Sequence, residues 1–130
     1  MFKLTNFKKK PEFKINILVV DDDGLLLDLL KDYGSPSTSV NIIYCTNAIE
    51  AINTVRENNI DGILSDVNMD NMKALDDFLY KKASDIPVYR FSGESTRHLN
   101  IRLIKPFSQY QYLDAVGELA GLAKIVKAAA

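Results

Sequence analysis

The stretch INILVVDDD, residues 15–23, sets the frame for the whole chain. Its first six residues are mostly apolar and β-branched, and they stop at three consecutive aspartates. That pattern reads as a buried strand with a charged end. Working outward, Leu26, Leu29, Leu30 and Tyr33 share one helical face, and Gly34-Ser35-Pro36 stops that helix. Residues 40–45 form a second apolar strand. Asn47, with Glu50 three residues on, caps a helix whose Ala48, Ala51, Ile52 and Val55 fall at i, i+3, i+4 and i+7. Asp61-Gly62 turns into a third strand, residues 63–67, and Leu75, Phe78 and Leu79 mark a third helix ending near Ser84. Residues 86–91 and 101–104 supply two more strands. Ser108 and Gln111 make a capping box for a last helix through about Lys127, with Tyr112, Val116, Leu119, Ala123 and Val126 turned inward. Gly117 and Gly121 weaken that helix by roughly 1 kcal/mol each.

Strand and helix alternate almost to the end, which is the signature of an α/β fold with a parallel sheet covered on both faces. The 130 residues suit one domain, spanning residues 14–127. Residues 1–13 form a lead-in, and residues 128–130 are set aside as a tail. Apolar residues make up 47% and charged residues 25%, with a net charge of −1, so disorder and a nucleic-acid footprint are both excluded. Residues 1–14 nevertheless hold five lysines against Glu12 alone, read as a solvated basic tail whose Phe2, Phe7 and Phe13 are too scattered for a binding stripe. The longest unbroken apolar runs have four residues, far short of the roughly 20 a membrane span needs. Cys45 and His98 are the only residues of their types, which excludes an internal disulfide and a Cys/His zinc site and favours a cytoplasmic location.

In an open parallel sheet, ligands bind beyond the carboxyl ends of the strands. Here those ends carry Asp21-Asp22-Asp23, Asp66, Ser92 and Lys105-Pro106. Clustered carboxylates repel one another and resist ionisation unless a cation compensates. An all-oxygen site with few carboxylates suits Mg²⁺, which keeps several waters and accepts a phosphoryl oxygen. Asp66 is then a candidate nucleophile, with Lys105 and Ser92 as donors to a transferred phosphoryl group. Alone, Asp21–Asp23 would read as a helix cap, Ser92 as an ordinary strand residue and Cys45 as core.

The segments ILVVDDD (17–23), DGILSDVNM (61–69), IPVYRFSG (86–93) and IKPF (104–107) together resemble the receiver domain of two-component response regulators. The resemblance covers roughly residues 14–125. It implies a flavodoxin-like five-stranded parallel sheet, order 2-1-3-4-5, of the chemotaxis-regulator type. It also implies that Asp66 accepts a phosphoryl group from a phosphohistidine on a histidine kinase or histidine phosphotransfer protein. Asp21, Asp22, Asp66 and the carbonyl of Asn68 would hold Mg²⁺, Ser92 would be the switch hydroxyl, and Lys105 would bridge to the phosphoryl group. The Lys105–Pro106 bond would be cis. Such a chain catalyses only its own phosphotransfer and dephosphorylation, and signals by altered partner binding. His98 is then an exposed loop residue rather than a phosphate carrier.

The chain departs from that pattern in four places. Asp70, Lys73 and Ala74 stand where a proline, an aspartate and a glycine are expected, the third helix is slightly short, and Arg102 replaces an aromatic residue. Only twelve residues separate Ser92 from Lys105, so the fourth helix should be missing or reduced. The sheet face near Val88, Arg90, Ile101 and Leu103 should then be partly bare. A homodimer or an effector is expected to use that face and the last helix, with neither membrane nor nucleic acid as direct partner. Two other readings compete with a switching receiver. One is a receiver-like interaction module that no longer switches, supported by the missing helix and Arg102. The other is a haloacid-dehalogenase-type phosphatase using Asp21 as nucleophile and Asp23 as acid/base.

Overall fold

The structure, a computed structural model, describes residues 14–35, 39–93 and 101–129. Five strands, β1 (Ile15–Val20), β2 (Val40–Cys45), β3 (Gly62–Asp66), β4 (Val88–Ser92) and β5 (Ile101–Ile104), form one sheet in the order β2-β1-β3-β4-β5. Every neighbouring pair is parallel. The four helices among the described residues are α1 (Gly24–Gly34), α2 (Ala48–Glu57), α3 (Met72–Lys82) and α4 (Gln109–Ala129). The flavodoxin-like expectation holds. The shortened crossover before β5, His98 within it, and the basic lead-in with its three phenylalanines lie outside the described residues.

Strand alternation sorts the apolar residues into two cores. On one face Ile15, Ile17, Val19, Leu64, Phe91 and Leu103 pack under α1 and α4. On the other, Leu18, Val20 and Ile63 pack under Ala48 and Ile52 of α2 and Leu75 and Leu79 of α3. The central strand β3 is buried along its whole length, as expected of a parallel sheet covered from both sides. Close approach is needed at Gly62, where a β-carbon would come within 2.8 Å of Ile17 Cδ1 and 3.0 Å of Leu119 Cγ. A side chain there would push Ile17 and Leu119 out of their present packing between the sheet and α4.

The caps match their chemistry. Ser108 Oγ accepts from the Gln111 amide at 3.1 Å, and Gln111 Oε1 accepts from the Ser108 amide at 2.8 Å, a complete capping box. Asn47 Oδ1 accepts from the Glu50 amide at 2.8 Å, while Glu50 reaches back to the amide of Thr46 rather than of Asn47. Two helix faces differ from expectation. α1 buries Leu27, Leu30 and Gly34 while Leu29 is exposed, because docking against both β2 and α4 rotates the inward stripe by one residue. Val126 is exposed, and Ala115 and Ala120 complete the inner face of α4 instead. β4 begins after Pro87, later than expected, since proline has no N–H to give the ladder.

The bare-face expectation needs a correction. Paired residues in a parallel ladder share a face, and β5 slips register: Arg90 pairs with Ile101, but Phe91 pairs with Leu103. Arg102 is the extra residue of this bulge. Leu103 therefore joins Phe91 in the core beneath α4, only 4% exposed. Arg90 is covered by α3, its guanidinium 2.8 Å from Asp76 Oδ1.

Candidate functional site

The carboxyl ends of four strands, β1, β3, β4 and β5, lie side by side at one edge of the sheet. Asp21 follows β1, and its amide donates to the Cys45 carbonyl at the end of β2, at 3.1 Å. The Asp21 side chain is fully buried, and its Oδ1 accepts from the Asp23 amide at 2.8 Å. Asp66, the last residue of β3, is 3% exposed, and its Oδ1 accepts from the Asn68 amide at 3.3 Å. Ser92 closes β4, fully buried, and its carbonyl accepts from the Lys105 amide at 2.8 Å. The Lys105–Pro106 bond is cis, as the resemblance implies.

Lys105 ties the strand ends together. Its Nζ lies 2.8 Å from Asp21 Oδ2 and 3.5 Å from Asp66 Oδ2, above the ring of Phe91 at 5.1 Å from the centroid. Burial pushes the Asp21 carboxyl above the ordinary carboxylate range, and the charge of Asp66 adds to the push, although the hydrogen bonds from Lys105 and Asp23 resist it. Burial works against the Lys105 ammonium, but its bond to Asp21 and the attraction of Asp66 outweigh that, so its pKa is raised.

Asp22 is exposed at the rim, and Asp21, Asp22 and Asp66 each place a carboxylate oxygen within 4.8 Å of the others. Three carboxylates against one ammonium leave a formal charge of −2 when all are ionised (−3 + 1). An excess of buried negative charge among hard oxygen donors fits a divalent cation such as Mg²⁺. Asp23 stands apart from this group. Its Oδ1 caps α1, accepting from the amides of Leu25 and Leu26 at 3.0 and 3.2 Å.

The model of the response regulator receiver domain matches residues 17–114. The chain belongs to that family. This receiver resembles the signal receiver domain of a Luxo repressor protein from Vibrio parahaemolyticus, with a TM-score of 0.78 and 16% identity over 90% of this chain and 98% of that one. A two component transcriptional regulator AraC from Clostridium phytofermentans gives a TM-score of 0.74 and 25% identity over 88% of this chain and 99% of that one. Among curated proteins, the transcriptional regulatory protein YvrH of Bacillus subtilis is 32% identical over 82 residues, 62% of this chain. The matched region spans 35% of that regulator's length. Receiver domains are signalling domains rather than classical enzymes, and they generally bind Mg²⁺ at an acidic pocket. No helix among the described residues is long and apolar enough to cross a membrane.

Two further clusters were not anticipated from the sequence. Arg102, the bulge residue, is held by α4, its Nη2 2.9 Å from Asp114 Oδ2 and 3.2 Å from Glu118 Oε2. Tyr89 Oη donates to Glu118 Oε1 at 2.6 Å. Partial burial and the Glu118 carboxylate push the Tyr89 phenol up to about 12. The i, i+4 spacing of Asp114 and Glu118 was the one signal that a cation would lie across them. At the opposite edge of the sheet, Lys127 pairs with the buried Asp61, Nζ to Oδ1 2.7 Å. No local pattern links those two residues, which are far apart in the chain.

Proposed function

We propose that this receiver takes a phosphoryl group onto Asp66 from a phosphohistidine on a histidine kinase or phosphotransfer protein, and signals through altered binding to a partner or effector. The observation that carries this reading is the position of Lys105, whose ammonium lies between Asp21 and Asp66 at the meeting point of three strand ends. A carboxylate oxygen of Asp66 attacks phosphorus and forms an acyl-phosphate bond. The phosphorus–nitrogen bond breaks, and its electron pair leaves with the imidazole. Lys105 and the Ser92 hydroxyl act as fixed donors for the phosphoryl oxygens, where preorganised charge lowers the barrier most. Asp21, Asp22, Asp66 and the Asn68 carbonyl would hold Mg²⁺, which when bound neutralises charge on the phosphoryl oxygens. Cytoplasmic histidine-kinase signalling is the setting that suits such a chain.

Treatment with acetyl phosphate and Mg²⁺, followed by intact-mass spectrometry, tests the reading directly. One phosphoryl adduct on the native protein and none on Asp66→Asn is the expected result. Full labelling of the variant would overturn the assignment.

A specific observation favours a second reading, an interaction module that keeps the pocket but does not switch. Arg102 occupies the position where the family pattern has an aromatic residue, and Asp114 and Glu118 both hold it on α4. Beryllofluoride with Mg²⁺ separates the two: a switching receiver changes its backbone amide spectrum around β4 and β5, whereas a fixed module changes only at the pocket. The phosphatase reading loses support because Asp23, its acid/base, is occupied as the cap of α1.

A further inference from the structure

A cavity opens at the amino edge of the sheet, the end opposite Asp66. Its volume is about 190 Å³. It lies between the last turns of α4, at Ala123, Val126 and Lys127, and the chain around the starts of β3 and β4, at Ile60, Asp61 and Ile86. Its apolar wall is incompletely covered, with Val126 36% exposed and Ile86 half-buried. An apolar cavity of about 150 Å³ takes up benzene, so this one has room for a single phenyl ring.

The start of β1 is fastened to the wall of that cavity. The Asn16 amide donates to Asp61 Oδ2 at 2.8 Å, and the Asn16 side-chain amide donates to the Asn59 carbonyl at 2.8 Å. Three residues of extended chain span about 10 Å, which puts position 13 within reach of the opening. Side chains alternate along a strand, and Ile15, Ile17 and Val19 all belong to the core beneath α4. The same parity assigns position 13 to the α4 side, and residue 13 is Phe. Charge agrees with this placement. Residues 1–14 hold five lysines against Glu12, whereas Asp61, Asp85 and Lys127 of the cavity sum to −1 (−2 + 1), with Asp85 exposed at the rim.

We propose that this cavity is the docking site of the chain's own N-terminal lead-in. Phe13 sets its ring against Ile86, Ala123 and Val126, while Lys8, Lys9 and Lys10 stay in water within the field of Asp85. The ring then shields the Asp61–Lys127 pair from water, and an ion pair gains strength where the local dielectric falls. Phe2 and Phe7 have no part in the contact, so a scattered set of aromatics needs only one anchor. Neither the cavity nor Phe13 involves Asp66, so this docking stands apart from the phosphoryl-transfer reading.

The chain has no tryptophan, so Phe13→Trp in the full chain is a unique fluorescent reporter. Its emission should lie at shorter wavelength, and acrylamide should quench it several-fold less, than for the same variant unfolded in urea. Adding Val126→Asn should bring quenching back toward the unfolded level. Phe13→Ala and Val126→Ala should each lower the urea midpoint, and their combined loss should be less than the sum, as for two side chains in contact. Emission and quenching equal to those of the unfolded chain, or protection indifferent to Val126→Asn, would overturn the proposal. So would additive losses, the readout that still decides if the indole proves too large for the cavity. Protection that grows with protein concentration would assign the cavity to a second copy's lead-in and overturn docking within one chain.

Discussion

The two ends of the parallel sheet each carry a buried aspartate paired with a lysine, yet they differ in how the charges balance. At the amino end, Asp61 has Lys127 on Oδ1 at 2.7 Å and the Asn16 amide on Oδ2 at 2.8 Å. One anion meets one cation, and both oxygens are satisfied. At the carboxyl end, Lys105 is shared between Asp21 and Asp66, and Asp22 adds a third carboxylate at the rim. The Asp21 pKa is raised there, mainly by burial and partly by the neighbouring Asp66. A buried ion pair that is complete in itself holds structure together; one with surplus negative charge invites a cation and a phosphoryl group.

Four substitutions sharpen that contrast. Asp66→Asn should abolish phosphoryl labelling while leaving the circular dichroism spectrum and urea midpoint close to native. Asp61→Ala should do the reverse. Leaving Lys127 beside an empty partner should lower unfolding free energy by about 3 kcal/mol in urea titration, with labelling of Asp66 retained. If Asp61→Ala were neutral, the amino-end pair would not be structural and the contrast would fail.

The second comparison lies inside the carboxyl-end pocket. Asp22→Ala removes one of three carboxylates and should weaken Mg²⁺ binding by about tenfold, about 1.4 kcal/mol, in calorimetry. Lys105→Met should move affinity the other way, since the ammonium competes with the metal for Asp21 and Asp66. Because the Asp21 pKa is raised, metal binding to the native protein should begin to fall with acidification at a higher pH than for an ordinary carboxylate.

The smallest effect concerns alkaline pH. The folded pKa of Lys105 is raised above its ordinary 10.5, so its stabilising contribution is complete below that value and lost as pH rises through the folded pKa. Thermal unfolding between about pH 9 and 12 should show a shallower alkaline decline for Lys105→Met than for the native chain. Equal slopes would mean that the ammonium contributes nothing to stability in its pocket.

Much of this protein could be read along the chain because its signals are local. β-Branched runs ending in Asp21, Asp66, Ser92 and Lys105 place those residues on one sheet edge, whatever the details of packing, because parallel strands all end on the same side. Caps such as Ser108 with Gln111 are equally local, since donor and acceptor sit three residues apart. The chain alone could not say that β5 slips by one residue at Arg102. Strand faces alternate with period two, so one extra residue moved Leu103 from the expected bare face into the core under α4. It could not join Asp61 to Lys127, Tyr89 to Glu118 or Arg90 to Asp76, because each pair is made by packing elements whose separation in sequence carries no periodic mark. Nor could it turn α1 to bury Leu27 rather than Leu29, because both rotations present leucines and only contact with β2 and α4 chooses between them. Residue types at strand ends determined the chemistry, and tertiary packing decided which charges were neutralised and which were left in surplus, because pairing depends on distance in space rather than along the chain.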